Sequence, residues 1–560
     1  MKNKILIFIA IVFSIMSCEK DLLDITPQDK FSAVDVFNDE NLIRLFINGC
    51  YSKIYLHGLY RYNQIGHATD ELHSIKEGKV MYSLIQEGKL TQDNIDQIHP
   101  FLHNWEESYK VLQDIIYFQS QIGESEIDTD LKNQMIGEMR FMRAFIYANL
   151  IWRYGGVPIV HKFDLNASDF SIARSTYDAC VDTIVKEINL AIQLLPDKYE
   201  LEDENRGLAT ADAARALKSR VLLYAASPLN NTSNDMAKWQ AASDAAKEII
   251  DSAHYALNDD YQQLFLADND EIIFARYHTN ASEMELSLQV GRNYDHGWGS
   301  DSPTQNLVDN YEMTNGEKPY LADGSINPAS GYDDQNPYVD RDPRFYASIL
   351  YDGSMWMDRE TETFISGGSS APNGKDSRKG PNEDWNGTMS GYYLKKFVPE
   401  DVSPSSTTDY ATSPYIFFRY GEILLNYAEA QYNLGHEDIA RDYLNIVRSR
   451  VSVDMPDVDD TGDDLLKRIQ NERRIELVFE GHRYFDVRRW KIADETENED
   501  IRAIVIKLRD DDSKTYDYTS RSTILITRYW YDRLYLLPIP RAEVERSLGT
   551  VEQNPGYDDI

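Results

Sequence analysis

The chain has 560 residues, 42% of them hydrophobic and 27% charged, with a formal net charge of -36. That balance belongs to a folded protein, and the length allows several domains or one large domain with an insertion. The acidity is spread along the chain and excludes nucleic acid, or adhesion to anionic lipid by charge, as the general partner, since both need clustered Lys and Arg.

The N-terminus opens with Lys2 and Lys4, followed by an apolar run over 5–16 broken only by Ser14. Such a run is too short to cross a ~30 Å hydrocarbon layer as a helix and matches a secretory signal. Ile15, Met16 and Ser17 lead directly into Cys18. This arrangement resembles a bacterial lipobox, and it predicts a signal peptide over 1–17 with lipid carried on Cys18. A soluble secreted protein with an incidental Cys18 is the competing reading. Cys50 and Cys180 leave room for one bridge but no disulfide framework. Residues 18–40 are polar and read as a tether.

Helical periodicity dominates from residue 41. Trp105, Tyr109, Leu112 and Ile116 fall at spacings of three and four and predict one buried helical face. Further helices are predicted over 132–154, ended by Gly155, Gly156 and Pro158, and over 175–195, opened by Ser175 or Thr176 and stopped by Pro196. Two more pairs follow, 210–226 with 236–250 and 417–434 with 438–451. Alanines recur where paired helices would meet, at 211, 213, 214 and 216 and again at 241, 242, 245 and 246. The stretch NYAEAQYNLGHEDIARDYLNIV resembles a tetratricopeptide unit, and such pairs stack into solenoids.

Between about 255 and 411 the period fades into Gly, Pro, Asn, Asp and aromatics, which predicts loops and short strands. Irregular chain on this scale in an ordered protein carries function. The expected organisation is one domain over 41–560. Its helical scaffold covers 41–254 and 412–560, and its loop-rich insertion covers 255–411.

No GxSxG, HExxH, Walker A or helix-opening GxGxxG motif is present. His57, His67 and His73 are close in sequence but their spacing does not fit one helix face, so packed or surface histidines are the expectation, with no metal. The run NERRIELVFEGHRYFDVRRW at 471–490 reads as helices burying Arg–carboxylate pairs. The remaining signal is aromatic. Tyr60, Tyr62 and Tyr82 flank Asp70 and Glu71, Tyr294 and Trp298 sit in a Gly-rich loop, and Trp356 and Trp385 follow. Aromatic faces on loops with polar groups beside them fit the apolar face and hydroxyl edge of a sugar ring.

Six stretches then carry a resemblance in order: MRFMRAFIYANLIWRYGGVPIV at 139–160, SPTQNLVD at 302–309, DPRFY at 342–346, RYGEILLNYAEA at 419–430, the 471–490 run, and LLPIP with QNPGY near the end. Together the sequence resembles the SusD/RagB family of outer-membrane nutrient-binding lipoproteins. The resemblance implies a mostly α fold, with a tetratricopeptide-like helix-pair scaffold and a loop-rich insertion. It implies a non-enzymatic protein, exposed on the cell surface and anchored in the outer membrane through Cys18. Such a protein captures oligosaccharides for a SusC-like TonB-dependent transporter. A RagB-like subunit that binds peptides is the alternative, and a surface glycosidase is a third reading. Carried onto this chain, the ligand-binding candidates are Tyr60, Arg61, Asp70, Tyr82, Tyr294 and Trp298. No cofactor is implied, and Trp105 is assigned to packing.

Overall fold

The computed structural model describes residues 33–53, 65–74, 82–98, 102–162, 172–277, 290–368, 372–381, 386–406 and 411–558. Cys18, Tyr60, Arg61, Tyr62, His57 and Trp385 lie outside the described residues.

The first short helix, α1 (Ala33–Phe37), lies inside the stretch expected to be tether, and α2 (Glu40–Tyr51) follows at once, capped by the Asp39 carboxylate. The next long helix, α3 (Trp105–Gln121), buries Trp105, Leu112 and Ile116, as the spacing predicts, and leaves Tyr109 partly buried. The long helix α4 (Thr129–Tyr154) starts where Asp128 accepts hydrogen bonds from two first-turn N–H groups, at 3.0 Å each. It stops at Gly155. Three more helices complete the N-terminal half: α5 (Tyr177–Ile192), capped by Thr176, α6 (Ala211–Ala226), capped by Thr210, and α7 (Met236–Ser252). In the C-terminal half come α8 (Tyr420–Asn433), α9 (Glu437–Arg448), α10 (Gly462–Glu476) and α11 (Arg483–Arg489).

Neighbours in this series pack on one another from α3 through α9, and α7 packs directly on α8 although the insertion separates them in sequence. The helix-pair stack therefore runs through the insertion point without a break. Ala211, Ala213, Ala214, Ala216, Ala242, Ala245 and Ala246 are all buried at these contacts, where small side chains let helices approach closely.

One expectation needs correction, and one open question closes. Phe417 and Phe418 do not open a helix. They belong to a strand, Tyr415–Arg419, whose five residues are all buried and which pairs antiparallel with Ile272–Arg276. A continuous aromatic and β-branched run buried on both faces favours a strand over a helix turn. This ladder ties the two ends of the insertion together at its base. Cys50 and Cys180 form no bridge. Both are buried free thiols on different helices, with Cys180 Sγ donating to the Val157 carbonyl at 3.6 Å. Burial, and then the charge of Asp114, push the Cys50 thiol up to about 12.

The insertion is fastened to the scaffold by charge. Arg344, inside it, is buried and pairs with Glu472 and Glu476 of α10 and with Asp342. Glu476 also accepts from Arg419 at 2.8 Å and from Arg450 at 2.9 Å. Burial alone would raise the Glu476 carboxyl, but the guanidinium groups of Arg450, Arg419 and Arg344 hold it well below the usual carboxylate range. Beyond α11, strands Val505–Leu508 and Lys514–Asp517 form a three-stranded sheet with Ile365–Ser366 of the insertion. The loop-rich region thus recruits chain from the C-terminal half.

Candidate functional site

The loop that carries Tyr294 and Trp298 is closed on itself. The Gly299 N–H donates to the Gly291 carbonyl at 3.0 Å, the Gly297 N–H to the Arg292 carbonyl at 2.9 Å, and the His296 N–H to the Asn293 carbonyl at 2.9 Å. A Cβ at Gly297 would lie 2.2 Å from the Gly291 backbone, so this close approach admits only glycine. The Arg292 side chain is buried beneath the loop, donating to Asp295 and to the Trp356 carbonyl at 2.7 Å each and to Thr361 Oγ1 at 3.0 Å.

Arg359 provides the second clamp. Its guanidinium meets Asp295 at 3.0 Å and holds Asp376 in a two-pronged pair at 2.6 and 2.7 Å. It also sits 5.0 Å from the centre of the Tyr294 ring, with Lys375 Nζ 5.5 Å from the same ring. Tyr294 remains 39% exposed and Trp298 is half-buried. The arrangement is a rigid loop that presents aromatic surface with hydrogen-bonding groups at its edge.

Two residues after Gly299 the chain enters a short strand, Asp301–Pro303, which pairs antiparallel with Leu72–Ser74. Beside that ladder, Thr304 N–H donates to the Glu71 carbonyl at 3.0 Å and Thr304 Oγ1 to the Asp70 carbonyl. Two segments singled out in the sequence, more than two hundred residues apart, are therefore joined edge to edge. His67 Nε2 lies 2.7 Å from Asp301 Oδ1 within the same contact. Burial, with the charges of His67 and Arg378, pushes His73 down to about 3. Among the described residues no group of three or more His, Cys, Asp or Glu is arranged to hold a metal ion.

The six candidates separate. Tyr60 and Arg61 lie outside the described residues. Tyr294 and Trp298 share the clamped loop. Asp70 and Tyr82 are placed inside the protein, at 5% and 4% exposure, where both make internal contacts. Asp70 forms a bidentate pair with Arg483, both bonds 2.9 Å, and accepts from Arg474 at 2.8 Å. Burial alone would raise this carboxyl, but Arg474 and Arg483 hold it well below the usual range. Glu71 beside it has no such clamp, and burial together with the charge of Asp70 pushes it up to about 8. Tyr82 packs edge-on against the His67 ring at 6.3 Å. Trp356 is buried as well. Arg292, Arg359 and Asp376 escaped the sequence reading because their partners lie up to 69 residues away with no periodic spacing.

Known proteins share this architecture. The family model for the SusD family matches residues 270–557. The chain belongs to the SusD family. A second family model, described as starch-binding and associating with the outer membrane, matches residues 21–223. The family is thus one of carbohydrate-binding proteins associated with the outer membrane. SusD-like protein P25 of Formosa agariphila is 22% identical over 523 residues, covering 88% of this chain and 90% of that one. A SusD-like protein of Bacteroides fragilis superposes with a TM-score of 0.77 at 29% identity, over 95% of this chain and 100% of that one. A SusD-like carbohydrate-binding protein of Bacteroides fragilis superposes with a TM-score of 0.75 at 24% identity, over 91% and 99% of the two chains.

Proposed function

We propose that this SusD-family protein captures oligosaccharides at the cell surface and passes them to a SusC-like TonB-dependent transporter, held at the outer membrane by lipid on Cys18. The observation that carries the reading is the locked loop at Asn293–Asp295 and onward to Trp298, which offers the Tyr294 and Trp298 rings from a pre-organised mount. A ring held in place before binding loses little entropy on stacking against a sugar. Two carboxylates at that platform, Asp295 and Asp376, are both held by guanidinium donors, Asp295 by Arg292 and Arg359 and Asp376 by Arg359. Their lone pairs are committed to structure, which favours binding over hydrolysis.

Calorimetric titration of the purified protein against neutral and acidic polysaccharides, with a mixed peptide pool alongside, tests the proposal. Saturable heat with one glycan class and no released sugar is expected. Heat from the peptides alone would move the protein to the peptide-capturing reading, and sugar release would make it a glycosidase.

A further inference from the structure

A second aromatic display lies far from the first in sequence, on the extended segment between the strand Ile524–Ile526 and the turn Asp532–Tyr535. Its side chains alternate. Arg528 and Trp530 point inward, while Thr527, Tyr529 and Tyr531 are exposed, the two tyrosines at 54% and 49%. At ~3.3 Å per residue, alternate side chains of an extended segment stand about 7 Å apart on one face.

The inward residues fix this segment. Arg528 donates to the Glu499 and Thr496 carbonyls at 2.6 Å each and to Glu497 Oε2 at 2.8 Å. Trp530 packs on Tyr535 at 5.1 Å and lies under the Arg488 guanidinium at 5.2 Å. Tyr531 is seated separately. Its ring fills the space a Cβ on Gly88 would take, at 2.5 Å, and the Arg533 guanidinium lies 4.5 Å from its centre. Gly88 has φ of +66°, so glycine serves both the turn and the seat. Both rings are thus exposed, Tyr531 seated on Gly88 and Tyr529 carried on a fixed backbone.

The chemistry around them selects the occupant. A peptide adding as a strand needs free backbone N–H groups. Here the Tyr529 N–H is bonded to the Gln86 carbonyl at 2.9 Å and the Trp530 N–H to Asn498 Oδ1 at 3.2 Å. A protein hot spot needs an apolar surround that excludes water. These rings are instead flanked in the chain and at the Gly88 seat by Glu87, Lys89, Asp532 and Arg533. Aromatic faces bordered by charged and hydrogen-bonding side chains suit a ligand whose own surface alternates C–H and O–H. The geometry points to Tyr529 and Tyr531 as a second docking surface, for a neutral polysaccharide chain. It rests on the reading of the protein as a glycan binder. A polymer engaging both platforms would be retained more tightly than either alone holds it.

Native gels containing amylopectin or laminarin test this. Four proteins are compared: the unaltered protein, the double variant Tyr529→Ala/Tyr531→Ala, the single variant Tyr529→Ala, and Trp298→Ala. Thermal melting is measured in parallel. Removal of both tyrosines is expected to weaken retardation by at least one polymer about fivefold, and Tyr529→Ala by a smaller factor, without change in melting. Tyr529→Ala spares the seat on Gly88, so it decides the matter should the double variant unfold. Unchanged retardation of the tyrosine variants, while Trp298→Ala loses it, would overturn the second surface and leave the first. The reverse pattern would keep the second surface and overturn the first. Absence of retardation for the unaltered protein on both polymers would overturn the proposal.

Discussion

The stacked helices and the loop-rich region solve the same problem, holding the chain in a fixed shape, with opposite materials. In the stack, α3 through α9 bury alanines and large apolar residues in repeating contacts, and position follows from periodicity. In the loop-rich region the fixing elements are guanidinium groups, Arg292 and Arg359 at Tyr294 and Arg344 joining α10, and Arg528 does the same for the irregular segment that carries Tyr529. Arginine suits this use because one planar fork satisfies several carbonyl and carboxylate acceptors at once. The difference teaches that a display surface here is rigid without being regular. Its rigidity is also electrostatic, and so more sensitive to charge than the stack is.

Substitution can break that comparison. The largest effect is expected at Glu476, which accepts from Arg344, Arg419 and Arg450. Glu476→Ala leaves buried cations uncompensated and should cost about 5 kcal/mol in a urea titration. A loss below 1 kcal/mol would show that the network is dispensable. Trp490→Ala probes the helical side. It removes a buried ring whose Nε1–H donates to Glu429 at 2.8 Å and should cost about 3 kcal/mol through a cavity.

The third test is pH. Glu71 has a folded value of about 8, above the ~4.3 of a free glutamate, so the folded state binds the extra proton between those values and stability at this group falls as pH rises through that window. Glu71→Gln should flatten that decline and melt higher than the unaltered protein at pH 8, with no gain at pH 4. Asp70 and Glu476 run the other way. Their lowered values contribute stability above pH ~4 that is lost as pH falls further, so acid should unfold both proteins alike.

Trp298→Ala should weaken glycan binding about tenfold, ~1.4 kcal/mol, while melting shifts by no more than a few degrees; unfolding would place this ring in the core. The smallest effect is expected from Lys375→Ala, whose ammonium contributes ~0.5 kcal/mol at the Tyr294 ring and should change affinity by no more than about threefold.

Much of the scaffold was legible because helices repeat every few residues. The starts of α5 and α6 follow directly from Thr176 and Thr210, and the turn between α8 and α9 falls at Gly435. The run at 471–490 reads correctly as buried Arg–carboxylate pairing, since Arg473, Arg483 and Arg489 all find carboxylates. Phe417 and Phe418 were misread because a short buried strand and a buried helix turn share the same composition. The site was half legible. Aromatic residues beside glycines mark the Tyr294–Trp298 loop, but nothing local reveals that Asp70 faces Arg474 and Arg483 across more than four hundred residues.

That last contact has a consequence for how the chain is made. A carboxylate laid down among the first seventy residues waits for two arginines that emerge near the end of synthesis, and Gln92 waits longer still for the Tyr557 carbonyl. The charge pairing of Asp70 is therefore completed only once a nearly complete polypeptide has been made. Early termination anywhere ahead of Arg474 strands a buried acid with no counter-charge. Such fragments should be cleared by proteases and should not accumulate as stable half-proteins.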